Sequence, residues 1–355
     1  MNKDSNKIID IGVEVEDTYI NNDVEWMAKI VDAAHKHGTV TIRIFEPVAI
    51  EELNYKGKRI LQILAEVCEA NDWPKDKFRF ETQNLIQDMS VWPTIQIPYN
   101  NSVFPGNLSE DKNFEEHKDF KKLFGVLVNR SSWDRLMISS YLHKKHKEKT
   151  FQKYCNHLTN PIHMINFDLE RLLWETSSAG ELSGELLEQI ATFMGELPMG
   201  DHVYDILDGD ETRIVQHATS TLVTSYYDHF FVDVVCEKMK KGKVLYLTEK
   251  TARPLITMNP FIINASVGHL TNLKKLGFST FSDYWSEEYD HQEGVARIKS
   301  IQKICDHLAT LTQNEIKTMY ENMLPLLRNN RDCYKNLTNE QIQKSITKKR
   351  IKMQF

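Results

Sequence analysis

The chain has 355 residues, 41% of them hydrophobic and 26% charged, with a formal net charge of −6. That length predicts two domains, and the balance is that of a soluble globular protein. No run approaches the roughly 20 apolar residues that span a bilayer, the polar start Met1-Asn2-Lys3-Asp4 lacks a signal core, and an acidic chain is no general magnet for polyanions. The five cysteines (Cys68, Cys155, Cys236, Cys305, Cys333) form no Cys-x-x-Cys pair and no zinc spacing, so they read as reduced thiols in a cytoplasm.

In chain order, Val40 to Phe45 alternates as a strand and Glu46-Pro47 follows it. Ile60, Leu61, Ile63, Leu64, Val67 and Cys68 recur at helical spacing, so a helix is expected from Ile50 to Ala70, ended by Asn71-Asp72-Trp73-Pro74. Phe78 to Thr82 and Thr94 to Ile97 are the next strands, and repeated β-α-β signals predict a parallel sheet. The polar stretch from Asn100 to Lys122 is the expected boundary, dividing the chain into 1–117 and 118–299.

The second part opens with a strand, Leu123 to Val128, a loop containing Asn129 and Arg130, and a helix from Trp133 to Lys147 that carries Arg135 in its first turn. Arginine suits a diphosphate because its planar fork binds phosphate oxygens bidentately. Pairing with Asp134 or Glu148 is the structural alternative. Further on, Tyr226 and Tyr227 precede the very apolar run Phe230 to Cys236, which ends at Glu237. A tyrosine here could stack on a nucleobase, although core packing is the commoner fate. A carboxylate at the end of a buried run needs partners, and Lys250 or a sugar hydroxyl would serve.

Val244-Leu245-Tyr246-Leu247 reads as another strand, Thr248 to Met258 as a helix, and Phe261 to Ile263 as a strand. The charged residues would then stand at a strand's carboxyl end, where open α/β sheets bind ligands. A helix N-terminus favours phosphate. Lys250 and Arg253, three apart, would share a face and bracket a diphosphate. Glu249 accepts only, which suits vicinal sugar hydroxyls. The same residues also read as an ordinary helix start capped by Thr248.

The run Tyr246-Leu247-Thr248-Glu249-Lys250-Thr251, followed by Pro260-Phe261-Ile262-Ile263, resembles the donor-binding motif of the α-1,3-fucosyltransferase family. It is closer to glycosyltransferase-like proteins of bacteriophages and large viruses, with Leu276-Gly277-Phe278-Ser279-Thr280-Phe281 and Glu287-Glu288-Tyr289-Asp290 extending the likeness. The resemblance covers about Phe124 to Asp290, and Asp134 departs from it where histidine is commoner. It implies a GT-B enzyme: two facing Rossmann-like domains with a nucleoside-diphosphate sugar in the cleft. A helix from the C-terminal region, here 300–355, would pack back on the first domain.

In that picture Asn129, Arg130, Arg135, Tyr226, Glu237, Tyr246, Thr248, Glu249, Lys250 and Arg253 bind the donor. No Asp-x-Asp follows a strand, so cations of the chain replace a metal, and no cofactor is expected beyond the donor substrate. An inverting transfer needs a base. Glu46, beside a proline at a strand end, is the candidate, with Glu14, Glu16 and Asp201 as competitors. The acceptor would be a hydroxylated base in phage DNA or a glycan, with net acidity counting against DNA. The protein would be a monomer or dimer in the cytoplasm, that of the host if viral. The alternative is a non-catalytic GT-B-like shell that binds a nucleotide or partner.

Overall fold

The computed structural model describes residues 6–11, 13–14, 19–20, 26–44, 49–82, 84, 90–96, 118, 120–128, 131–154, 162–197, 199, 226–237, 242, 244–245 and 247–336. Two four-stranded parallel sheets organise them. The first contains β1 (Asn6–Ile11), β4 (Thr39–Ile44), β7 (Phe78–Thr82) and β8 (Thr94–Gln96), side by side in that order. Ile42 faces Ile9 on one side and Phe80 on the other. Helices α1 (Trp26–Lys36) and α2 (Ile60–Ala70) bury Ile30, Ala34, Leu64 and Cys68 in the core this sheet shares with Val40, Ile44, Phe78 and Trp92.

The expected helix from Ile50 to Ala70 is shorter, beginning at Ile60. Before it, β5 (Asn54–Tyr55) and β6 (Lys58–Arg59) form a hairpin. Lys56 and Gly57 between them both have positive φ, the geometry of a tight two-residue turn. This hairpin joins β2 (Val13–Glu14) and β3 (Tyr19–Ile20) in a small third sheet.

The second large sheet runs β10 (Thr150–Tyr154), β9 (Lys122–Val128), β11 (Phe230–Cys236), β12 (Phe261–Asn264) across its width, all parallel. All seven residues of β11 are buried, as expected for a central parallel strand covered on both faces. Gly125 of β9 lies under the Phe230 ring, where any Cβ would collide. Around this sheet pack α3 (Trp133–His146), α4 (Ile162–Ser178), α5 (Gly184–Gly195), α6 (Glu249–Thr257), α7 (His269–Lys275), α8 (Gly294–Ala309) and α9 (Gln313–Asn336).

Two sequence expectations are corrected here. Val244, Leu245 and Leu247 are buried but form no strand; the strand that feeds α6 and pairs with β12 is β11. The long helical tail is two helices, broken at Thr312. That residue and Glu315 form a reciprocal cap: the carboxylate accepts from the Thr312 N–H at 2.8 Å and the hydroxyl accepts from the Glu315 N–H at 3.3 Å.

Helix α9 lies against the second sheet's own elements. Ile316, Tyr320, Met323 and Leu327 belong to the second core, and Tyr320 donates to the Met258 carbonyl at 3.2 Å. The expected return of 300–355 to the first domain takes in residues 337–355, which lie outside the described residues. Among the described residues no helix is long and apolar enough to cross a membrane.

Candidate functional site

The order of the second sheet places a switch point between β9 and β11. The chain leaves β9 for β10 on one side, then returns to β11 on the other. Helices that cross over in opposite directions leave a crevice at the carboxyl ends of the two strands, the usual ligand site of such sheets. Glu237 follows β11 there, and α3 and α6 begin there.

Glu237 is 1% exposed and organises this edge. One carboxylate oxygen accepts from the Thr248 N–H at 3.3 Å, the Thr251 N–H at 3.2 Å and the Thr251 hydroxyl; the other accepts from the Thr248 hydroxyl at 2.7 Å. Thr248 in turn caps α6, its Oγ1 accepting from the Lys250 N–H at 3.1 Å. Three backbone N–H groups of this helix start, those of Thr248, Lys250 and Thr251, are therefore bonded inside the chain. A buried carboxylate already occupies the positive end of the helix.

What α6 leaves on the rim is a charged pair. Lys250 Nζ lies 2.5 Å from Glu249 Oε1, and both side chains are about a quarter exposed (23% and 25%). Burial pushes the Glu249 carboxyl up, but Lys250 and Arg253 outweigh it and hold the group at about 2. Arg253 does not share this rim, although the spacing predicts it. It is buried, and its guanidinium meets Tyr227 and Asp233 beneath the helix. The Tyr227 hydroxyl donates to Asp233 at 2.7 Å. Burial pushes Asp233 up to about 7, against the lowering effect of the Tyr227 bond and the Arg253 charge.

Arg135, in the first turn of α3, is also buried. Its Nη2 donates to the carbonyl of Cys236 at 3.0 Å and reaches that of Glu237 at 3.5 Å, so it holds the end of β11. Asp134 beside it is fully buried, taking hydrogen bonds from Ser132 Oγ and from Asn264 Nδ2, both at 2.7 Å. Asn264 ends β12, so this carboxylate ties the start of α3 across the sheet edge.

Tyr226 packs on β10, with Lys153 Nζ 4.1 Å from its ring centre and the Phe151 ring beside it. Tyr226 precedes the amino end of β11 and Glu237 follows its carboxyl end, so Tyr226 is not brought to the Glu237 junction. Asn129, Arg130, Tyr246 and Glu46, and the competitors Glu16 and Asp201, lie outside the described residues; Glu14 is in β2.

Sequence reasoning missed three residues of this edge. Asn84, past the end of β7, is fully buried and accepts from the Leu245 N–H at 3.1 Å, while Val244 joins the first core. This contact joins the segment after β7 to the segment that leads into α6. Asn264 had no signal beyond its place at a strand end. His269 opens α7 and is 1% exposed, with no partner for Nε2 among the described residues. Burial pushes its pKa down to about 4, opposed by Glu237.

The acidic motif after α7 is structural. Glu287 accepts from the Phe281 N–H at 2.7 Å and Thr280 Oγ1 at 2.8 Å. Asp290 caps α7, accepting from the Leu270 and Thr271 N–H groups at 3.0 and 3.1 Å, and faces Arg297 at 3.5 Å.

No protein-family profile and no curated protein matches this chain. Among solved structures, a glycosyltransferase from Rickettsia africae ESF-5 aligns over 97% of this chain and 98% of its own, at 12% identity and a TM-score of 0.33. At that score and identity the likeness decides neither fold nor chemistry.

Proposed function

We propose that the chain is a glycosyltransferase of the GT-B type, moving a sugar from a nucleoside-diphosphate sugar to a hydroxyl acceptor. The observation that carries this reading is the switch-point edge. There a buried glutamate fixes the first turn of α6 so that only Glu249 and Lys250 of its motif remain on the rim. This adds a local physical reason to the Thr-Glu-Lys resemblance. The contact of Asn84 with Leu245 supports a donor cleft between two units, divided at 1–117 and 118–299.

The geometry favours a division of labour among the proposed residues. Lys250, with Arg130 and Asn129 from the β9 loop, would meet the diphosphate, so that no metal is needed. Glu249 would accept from the ribose hydroxyls. Arg135, Glu237, Thr248 and Arg253 would hold the frame. Tyr246 and Tyr226 would act on the base side if they act at all. Glu46, following β4 at a carboxyl edge, would take the acceptor's proton. The acceptor would be a hydroxylated DNA base or a glycan.

The test is thermal unfolding of the full chain against UDP-, GDP-, ADP- and dTDP-sugars. A donor held at 100 times its Kd stabilises the native state by about 2.7 kcal/mol, a shift of a few degrees for a chain of this size. No shift with any of the four nucleotide classes overturns the reading. A shift without transfer to any hydroxyl acceptor would leave a binding protein instead of an enzyme.

A further inference from the structure

The segment that leads into α6 is shared by both cores. Gly242 has a φ of +77°, and a Cβ there would run into the Glu52 carboxylate. Val244 belongs to the first core, whereas Leu245 and Leu247 belong to the second. The side chains on the two sides of one peptide bond are thus buried in different cores.

That same peptide is held from both sides. Its N–H, on Leu245, donates to Asn84 Oδ1 at 3.1 Å, and the Asn84 N–H is tied to Thr82 Oγ1 at the end of β7, also at 3.1 Å. Its C=O, on Val244, accepts from Ser266 Oγ at 2.5 Å, just past the end of β12. The Ser266 carbonyl accepts in turn from Arg297 at 3.3 Å, so this second partner is fixed from behind. Asn84, Val244, Leu245 and Ser266 are each 1% exposed or less. A buried backbone group that loses its partner bears the desolvation cost, because no water takes the partner's place. The N–H and C=O of a trans peptide point opposite ways, so a shift towards one partner draws the peptide off the other.

Little slack separates this peptide from the rim. Leu247 is buried, and Thr248, three residues after Leu245, is bonded to Glu237 and caps the Lys250 N–H. We propose that Asn84 is a positioning residue for the Glu249–Lys250 rim. Through the Val244–Leu245 peptide it lets the first core hold the start of α6, so that nucleotide binding there depends on a side chain of the other core. The binding half of this inference rests on the donor reading of that rim; the mechanical half does not.

The test is amide hydrogen exchange on the full chain, joined to calorimetry with UDP, GDP, ADP and dTDP. Asn84→Ala should speed exchange at Lys250 and Thr251 roughly tenfold, the value of one hydrogen bond, and leave β11 unchanged. Asn84→Asp keeps an acceptor oxygen and should restore slow exchange. Leu64→Ala opens a cavity in the first core and controls for lost stability, so it should not touch the α6 amides. Whichever nucleotide binds the wild type should bind Asn84→Ala roughly tenfold more weakly and the other two variants as before. If Asn84→Ala does not fold, Val244→Ala releases the segment from the first core more gently and is read in the same way. Unchanged exchange at α6 overturns the inference. So does equal acceleration by Leu64→Ala, which would make Asn84 ordinary core, or faster exchange with unchanged nucleotide affinity. If none of the four nucleotides binds the wild type, the donor reading falls, and with it the binding half, while the exchange data still decide the mechanical half.

Discussion

Two helix starts on the same edge of the second sheet, α6 and α7, solve one problem in the same way and end differently. Each begins after a parallel strand, each exposes backbone N–H groups that need acceptors, and each receives a buried carboxylate from another segment. For α6 it is Glu237, bonded to Thr248 and Thr251; for α7 it is Asp290, bonded to Leu270 and Thr271. At α7 the charge is answered from behind by Arg297, whose own Nη groups hold the carbonyls of Ser266, Gln292 and Ile263. That assembly is closed in charge, since Asp290 and Arg297 are both buried. At α6 the next two residues, Glu249 and Lys250, face outward as a pair on the rim. The capping carboxylate is thus scaffold in both places, and only at α6 does the scaffold present charge. The run Thr248-Glu249-Lys250-Thr251 therefore mixes buried frame residues with two that reach the rim, and burial sorts them.

Four predictions test this sorting through stability, and the largest effect belongs to the closed assembly. Asp290→Ala leaves Arg297 buried without its counter-charge and uncaps α7. Breaking one partner of a buried pair costs about 3–5 kcal/mol, and urea unfolding should show it with donor-induced stabilisation intact. A loss below about 1 kcal/mol would mean that water reaches Arg297 and that α7 is not closed.

Glu237→Gln should cost less, about 2 kcal/mol, because the amide keeps one acceptor oxygen while the charge-assisted bonds are lost. Unlike Asp290→Ala, it should also weaken donor binding, since it releases the turn that presents Lys250. If stability falls and donor affinity does not, the α6 start is frame alone and the comparison with α7 collapses.

A smaller effect is read in pH. Asp233, under α6, has a folded pKa near 7, raised from the ordinary 3.8. Between those values the folded state binds more protons than the unfolded one, so this group's stabilisation is complete below about pH 4 and is lost as pH rises towards 7. Asp233→Asn should flatten that part of the stability profile. An unchanged slope would show that Arg253 keeps Asp233 ionised.

The sequence made the parallel α/β character legible because its strands carry unmistakable apolar runs, such as Phe230 to Cys236, and Phe78–Thr82 fell where alternation put it. The Thr312–Glu315 cap and the Lys56-Gly57 turn were readable signals that helical periodicity overrode. At the site, Thr248-Glu249-Lys250 was visible as a helix start. Its coupling to Glu237 was not, because 11 residues separate Thr248 from that carboxylate and no periodicity links them. Spacing alone put Arg253 beside Lys250. The buried Asp233 and Tyr227 draw it inward, and only the tertiary structure could show that. Asn84 pairs with a residue 161 positions away and leaves no local trace.

The smallest effect on stability belongs to the rim, and it is the sharpest test of the comparison. Glu249 and Lys250 form a pair about a quarter exposed on the rim, and partly exposed pairs contribute about 0–1 kcal/mol once screening and side-chain entropy are counted. Lys250→Ala should therefore leave the urea midpoint almost unmoved. It should weaken donor binding by about 1.5–3 kcal/mol, the value of a hydrogen bond to a charged group. Glu249→Gln goes further, because it changes which part of the donor is read. A carboxylate accepts from two vicinal hydroxyls, whereas an amide offers one acceptor oxygen. The variant should keep its affinity for the diphosphate and lose its preference for ribonucleotides over 2′-deoxynucleotides, as measured by calorimetry with both. Equal discrimination by wild type and variant would make Glu249 a helix-end charge held near 2 by its basic neighbours and nothing more. In that case the open start of α6 would be as closed, in function, as the start of α7.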